Sequence, residues 1–227
     1  MIKVILWDID GTLLNFLAAE KNAIRSCFEK FGLGECTDEM IENYSQINKK
    51  YWKRLENGEI EKPAVLRGRF EEFFALQGIE FDDIDALNAE YQQRLGDTIV
   101  YCDDSFELVG SLKNRVKQYA VTNGTFAAQS RKLKLSGFGE LLDGVFISDS
   151  VGFEKPRKEF FDAVFGEIGR YSPDEVLIVG DSLNSDMRGG ANVGIQCCWY
   201  NPCRDERPDR LKIDYEITDL NQVKDII

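Results

Sequence analysis

Ile2-Lys3-Val4-Ile5-Leu6-Trp7-Asp8-Ile9-Asp10-Gly11-Thr12-Leu13-Leu14 is the stretch around which the rest of the chain is arranged. An almost unbroken apolar run stops at two aspartates spaced i, i+2, and a glycine and a threonine follow. A short apolar run bounded by a turn signal reads as a strand buried on both faces. Residues i and i+2 of a strand point to the same side, so Asp8 and Asp10 can aim at one point beyond the strand end. Two carboxylates that close repel each other unless a cation or a shared proton intervenes. Gly11 lets the backbone turn sharply or approach a ligand closely. The stretch therefore calls for a metal ion and a phosphate-like ligand.

Composition bounds the other possibilities. The chain has 227 residues, 43% of them hydrophobic and 11% aromatic, enough for a sizeable core. Its formal net charge of -12 argues against a nucleic-acid polymer as partner. No apolar stretch is long enough to span a membrane, and residues 1–7 are too short for a signal peptide. The expected compartment is the cytoplasm. Cys27, Cys36, Cys102, Cys197, Cys198 and Cys203 show no zinc-like pairing, and the vicinal Cys197 and Cys198 read as small core residues. There is no histidine, so catalysis must run on carboxylates, Lys, Arg, hydroxyls or a metal.

After Leu14 the pattern becomes helical. Apolar residues recur at helical spacing in four stripes: Ala23 to Phe31, Met40 to Leu55 after a cap at Thr37 or Asp38, Arg69 to Leu76 ended by Gly78, and Ile84 to Leu95. This is a helical bundle inserted after the first strand. In its second stripe, Tyr51 and Trp52 read as bundle core, and the basic run Lys49, Lys50, Lys53, Arg54 as a solvated face. From about Asp103 strands alternate with helices. Strands are expected at 116–121, 144–147, 176–179 and 195–199, with a last short strand and helix within 215–226. Helices are expected around 106–112, 125–135, 160–168 and 186–193. Such alternation with continuous apolar strands predicts an α/β fold, a doubly wound parallel sheet with a Rossmann-like core. The predicted division is residues 1–15 and 97–227 for that core and 16–96 for an all-helical cap.

In open α/β sheets, ligands bind outside the carboxyl ends of the strands. Three strand-like runs end in polar, chemically able groups: Asp8 with Asp10, Thr122 with Asn123, and Asp181. Lys155 lies in the loop after the 144–147 strand. The topology puts all of them at one edge. Taken singly, each has a blander reading as a cap or turn residue. Together they form a candidate site.

Asp-Ile-Asp-Gly-Thr-Leu, Thr-Asn-Gly after a strand, Lys-Pro, and Gly-Asp-Ser-Leu-Asn-Ser-Asp stand here in that order. The series resembles the haloacid dehalogenase-like hydrolase superfamily along the whole chain, with the helical segment in the place of the family's cap. The segment Gly180 to Gly194, with Arg188-Gly189-Gly190-Ala191-Asn192 and then Cys198-Trp199-Tyr200-Asn201-Pro202, is similar to the branch of pyrimidine and non-canonical 5'-nucleotidases.

The resemblance implies a phosphatase acting on small phosphorylated metabolites such as nucleoside 5'-monophosphates. Asp8 is then the nucleophile that forms an aspartyl-phosphate. Asp10 is the general acid and base, its proton favoured by crowding with Asp8 and Asp181. The implied cofactor is Mg²⁺, on the Asp8 carboxylate, the Asp10 carbonyl and Asp181. Thr122, the Asn123 backbone and Lys155 hold the phosphoryl oxygens. Asp186 supports the metal shell or orients Lys155, and Ser182 is a helix cap or part of that shell. An acid at the position of Asp10 favours an oxygen leaving group over the halide of a dehalogenase.

Other functions remain open at this point. A sugar phosphomutase of the same superfamily would need its intermediate shielded from water. A phospho-accepting signalling domain of receiver type uses a similar residue set but is shorter, lacks the helical insert and places its lysine after all the acids. A degenerate scaffold would not require both Asp8 and Asp10. The expected partner is a small phosphomonoester, with neither membrane nor nucleic acid; monomer and homodimer are equally compatible with the sequence.

Overall fold

The computed structural model describes residues 1–207 and 209–227. The chain divides into two units, Met1–Asn15 with Ile99–Ile227, and Phe16–Thr98. The first is built on six parallel strands: β1 Val4–Trp7, β2 Lys117–Thr122, β3 Gly144–Ile147, β4 Val176–Gly180, β5 Gln196–Tyr200 and β6 Tyr215–Ile217. Their order across the sheet is β3-β2-β1-β4-β5-β6. The chain moves outward from β1 to β3, then returns to the other side of β1 with β4. The reversal lies between β1 and β4, and the carboxyl ends at such a switch point frame a crevice. There Trp7 pairs with Val179, and the Asp8 amide donates to the Val179 carbonyl at 2.9 Å.

Strand periodicity explains why β1 is apolar throughout. Ile5 and Trp7 pack on one face with Leu108, Val109, Leu133, Phe138, Leu220 and Val223. Val4 and Leu6 pack on the other with Phe160, Phe161, Val164 and Met187.

In the second unit, four helices follow the apolar stripes: α1 Phe16–Phe31, α2 Asp38–Glu56, α3 Lys62–Gln77 and α4 Ile84–Asp97. Thr37 caps α2 by accepting from the Met40 amide at 3.2 Å, and Gly78, at φ 65°, ends α3. The helix α1 packs along α4, and α2 along α3. Phe28, Tyr44, Phe70, Phe73, Phe74 and Tyr91 fill the bundle. Buried among them is a polar chain: Asn48 donates to Glu20 at 2.7 Å, and the Arg69 guanidinium donates to Asn48 and Asn88, each at 2.9 Å. Tyr51 and Trp52 are half-buried, not core as their spacing suggested. Tyr51 lies under Lys50 and Arg54, with the cations 5.3 and 5.5 Å from its ring. A long basic side chain covers an aromatic ring at a surface as readily as a core does.

The sheet unit adds α5 Ser105–Leu112, α6 Phe126–Ser136, α7 Phe138–Leu141, α8 Ser148–Val151, α9 Lys158–Ile168 and α10 Arg188–Val193. Two local departures from the sequence reading bear on the site. The second strand ends at Thr122, one residue later than expected. The expected helix over 186–193 is a π-helical turn, Leu183–Met187, followed by α10. Ser182 sets that turn: its hydroxyl accepts from the Ser185 amide at 3.1 Å, while its own amide donates to the Asp186 carboxylate at 3.1 Å. A widened turn of this kind reorients one side chain within a helix, here Asp186. Among the described residues no helix is long and apolar enough to cross a membrane.

Candidate active site

Asp8 follows β1 directly, Thr122 ends β2, Lys155 follows α8, and Asp181 follows β4. The sheet thus brings every residue of the expected set to one edge. Lys155 is at the centre. Its buried ammonium donates to Asp8 Oδ1 at 2.7 Å, to Asp186 Oδ1 at 2.7 Å and to the Val121 carbonyl at 2.6 Å. These are all the hydrogen bonds an ammonium can donate. Asn123 fixes the lysine's backbone by a reciprocal pair. The Lys155 amide donates to Asn123 Oδ1 and Asn123 Nδ2 donates to the Lys155 carbonyl, both at 2.8 Å. The side chain of Asn123 therefore serves the lysine. Thr122 is buried, and its hydroxyl accepts from the Gly124 amide at 3.2 Å.

Asp181 is held by Thr12. The Thr12 hydroxyl donates to Asp181 Oδ1 at 3.1 Å and accepts from the Asp181 amide at 3.0 Å. The Trp199 indole donates to the Asp181 carbonyl at 2.9 Å. Thr12, readable in sequence as a bland turn hydroxyl, is fully buried and belongs to the site. Gly11, at φ 92°, passes so near that a Cβ there would lie 2.6 Å from Asp181 Oδ2, so both conformation and space require glycine.

Asp8, Asp181 and Asp186 each bring a carboxylate oxygen within 4.8 Å of the others. One ammonium cannot neutralise three acids. Burial pushes the Asp8 carboxyl well above its ordinary range; Lys155 pulls it down, and the charges of Asp186 and Asp181 push it up again. Asp181 is reached by solvent, yet protein crowds its carboxyl. That desolvation, with the Asp186 charge added, takes it to about 7. Burial lowers Lys155, but Asp186 and Asp8 outweigh it and hold the ammonium charged. Hard carboxylate oxygens converging with surplus negative charge fit Mg²⁺. Asp8 and Asp181 are the ones with capacity to hold it, since Asp186 is engaged by Lys155 and by the Ser182 amide.

Asp10 does not join that acid cluster in the way the sequence suggested. Its two carboxylate oxygens face α6: Lys132 Nζ donates to Oδ1 and Gln129 Nε2 to Oδ2. Crowding by Asp8 and Asp181 was the expected influence on Asp10; a buried cation stands beside it instead. Gln129 and Lys132 were missed. The signal available was that both fall on the helical stripe made by Ala128, Leu133 and Ser136, which is buried. A lysine and a glutamine on a buried stripe need partners.

Comparison with known proteins agrees with this geometry. The sequence matches the haloacid dehalogenase-like hydrolase family over residues 2–194. It is 34% identical to the HAD-hydrolase YfnB of Bacillus subtilis over 227 residues, covering 99% of this chain and 95% of that one. It is 33% identical to the pyrimidine 5'-nucleotidase PynA of Streptococcus pneumoniae, covering 99% and 94%. A crystal structure of B. subtilis YfnB bound to magnesium superposes with a TM-score of 0.93 at 33% identity, covering 99% of this chain and 98% of that one. The L-2-haloacid dehalogenase of Xanthobacter autotrophicus shares the fold, with a TM-score of 0.77 at 18% identity and coverage of 100% and 98%. With four ordered motifs at the ends of parallel strands and a family match over most of its length, this chain belongs to the haloacid dehalogenase-like hydrolases.

Proposed function

We propose that the chain is a Mg²⁺-dependent phosphomonoesterase that works through an aspartyl-phosphate on Asp8 and acts on small phosphorylated metabolites, nucleoside 5'-monophosphates among them. The observation that carries this reading is the separation of the two acids of the first motif. Asp8 shares Lys155 with Asp186, whereas Asp10 is held by Lys132 and Gln129. An attacking carboxylate and a proton carrier need separate partners, and these acids have them; the cation beside Asp10 matches the step in which its carboxylate accepts a proton from water.

Asp8 Oδ attacks phosphorus and the ester P–O bond breaks. The leaving alkoxide takes a proton from Asp10, which is then a carboxylate. Water next attacks the phosphorus of the aspartyl-phosphate and gives its proton to Asp10. The acyl-phosphate P–O bond breaks, and inorganic phosphate leaves with both aspartates restored. Lys155 and the Thr122 hydroxyl hold phosphoryl oxygens. Lys155 has no spare N–H, so it meets the phosphoryl group by exchanging its bond to the free Asp8 carboxylate for one to that group. Asp8, the Asp10 carbonyl and Asp181 would hold Mg²⁺, which when bound neutralises phosphoryl charge. Asp186 orients Lys155, and Ser182 serves as the cap of the turn. The unit Phe16–Thr98 acts as the cap that selects substrate. The acid at position 10 favours ester hydrolysis over dehalogenation. The nucleotide preference is supported by the likeness to the pyrimidine 5'-nucleotidase PynA.

The test is phosphate release from a panel of nucleoside monophosphates and sugar phosphates, with Mg²⁺ and with chelator. Activity should require the metal and vanish in Asp8→Asn. Turnover without metal, or full activity in that variant, would exclude the mechanism.

A further inference from the structure

The buried face of α6 contributes more to the site than packing requires. Thr125 caps the helix, accepting from the Ala128 amide at 3.3 Å, so α6 begins four residues after Thr122, at the same sheet edge as Asp10. Gln129 and Lys132, at i and i+3, share one side of it. Both are essentially inaccessible to solvent. Burying an ammonium and an amide is unfavourable unless each is paired, and each meets a different oxygen of Asp10. Two donors on two oxygens fix the carboxylate plane. Gly124 makes room for this: a Cβ there would lie 2.1 Å from Gln129 Nε2. The oxygen of that amide, Gln129 Oε1, is buried without a hydrogen-bond partner. Packing alone would be served better by an apolar side chain, since an unsatisfied buried acceptor costs about 1–3 kcal/mol.

We propose that Lys132 and Gln129 are positioning residues that hold the Asp10 carboxyl in the one orientation from which it can reach the leaving oxygen. The inference rests on the reading of Asp10 as proton carrier given above. Neither residue touches substrate; they act through Asp10. Their removal should therefore slow the step that expels the leaving group most where that group needs a proton and least where it does not; hydrolysis of the aspartyl-phosphate is common to both esters and lies after the step that kcat/KM reports. A nucleoside 5'-alkoxide needs one, whereas p-nitrophenolate leaves without.

The experiment compares the two ester classes, with Mg²⁺, in the full chain and in Lys132→Met, Lys132→Arg, Gln129→Leu and Asp10→Asn. Lys132→Met should lower kcat/KM on a nucleoside 5'-monophosphate about 100-fold. On p-nitrophenyl phosphate the loss of kcat/KM should stay below about tenfold, and this second activity also reports that the variant is folded. Lys132→Arg should recover most of the loss, and Asp10→Asn should show the same split more strongly. Equal losses of kcat/KM on both esters, or no loss on the nucleotide, would overturn the proposal. If Lys132→Met does not fold, Gln129→Leu removes a neutral partner and should give the same split at about tenfold; its absence is equally decisive. A wild-type chain that releases phosphate from neither ester, or an active Asp8→Asn, removes the phosphatase reading itself, and the inference with it.

Discussion

Thr12 and Asp181 lie 169 residues apart and exchange two hydrogen bonds, one in each direction, at 3.1 and 3.0 Å. A single buried hydroxyl thereby fixes both the backbone and the carboxylate of an acid at the switch point of the sheet. Groups that orient a metal-binding carboxylate contribute to affinity and activity by about 10–100-fold. Thr12→Val keeps the shape and removes the hydroxyl. It should raise the Mg²⁺ concentration for half-maximal activity about tenfold. Titrating activity against Mg²⁺ checks this, and an unchanged midpoint would show that Thr12 serves the turn alone.

Lys155 links Asp8 to Asp186 through bonds of 2.7 Å to each. Removing one member of a buried ion network leaves uncompensated charge and costs about 3–5 kcal/mol. Lys155→Met should lose about that much in urea unfolding. Adding Asp186→Asn to it should return part of the stability and none of the activity. If both variants are equally unstable, repulsion between the two carboxylates is not the cause.

Surplus negative charge among Asp8, Asp181 and Asp186 predicts that metal binding stabilises the folded chain. At 100 times its dissociation constant a ligand specific to the native state adds about 2.7 kcal/mol. Melting followed with Mg²⁺ and with EDTA should show a higher Tm with the metal. Asp181→Asn should abolish the difference. A gain that survives this substitution would place the cation elsewhere.

Glu90 in α4 gives the helical unit a pH dependence of known sign. Its buried carboxylate accepts from Lys30 and, at 2.6 Å, from Arg94 Nε. The Lys30 hydrogen bond is the largest influence; burial opposes it, and Arg94 adds to it, so the carboxyl lies below its ordinary value of 4.5. A depressed carboxyl stabilises the fold above its unfolded pKa and loses that contribution as pH falls through the folded one. Glu90→Gln should cost about 1 kcal/mol at pH 7. The gap between variant and wild type should close as the solution is taken below pH 4.5. A gap that is constant with pH would mean that packing, not charge, is what the substitution disturbs.

The sequence by itself determined the sheet, the helical insert and the residues at the strand ends. Continuous apolar runs leave few alternatives to buried parallel strands. The i, i+2 spacing of Asp8 and Asp10, the Thr122-Asn123 pair, Lys155 and Asp181 all follow from where those runs stop. Cys197 and Cys198 are also buried free thiols, as two small residues within a strand suggested. What the linear chain could not hold is which distant groups meet. Asp8 and Asp10, two residues apart in sequence, answer to different lysines because the strand has already ended at Trp7, and beyond it the alternation that would keep both side chains on one side no longer holds. Thr12 looks like any turn hydroxyl until β4 sets Asp181 against it. Asp186 reads as the start of a regular helix, yet it accepts from the Ser182 amide and lies within the π-helical turn Leu183–Met187. These are contacts across 100 residues or more, or local competitions between backbone and side chain, and only the closed packing of the sheet decides them.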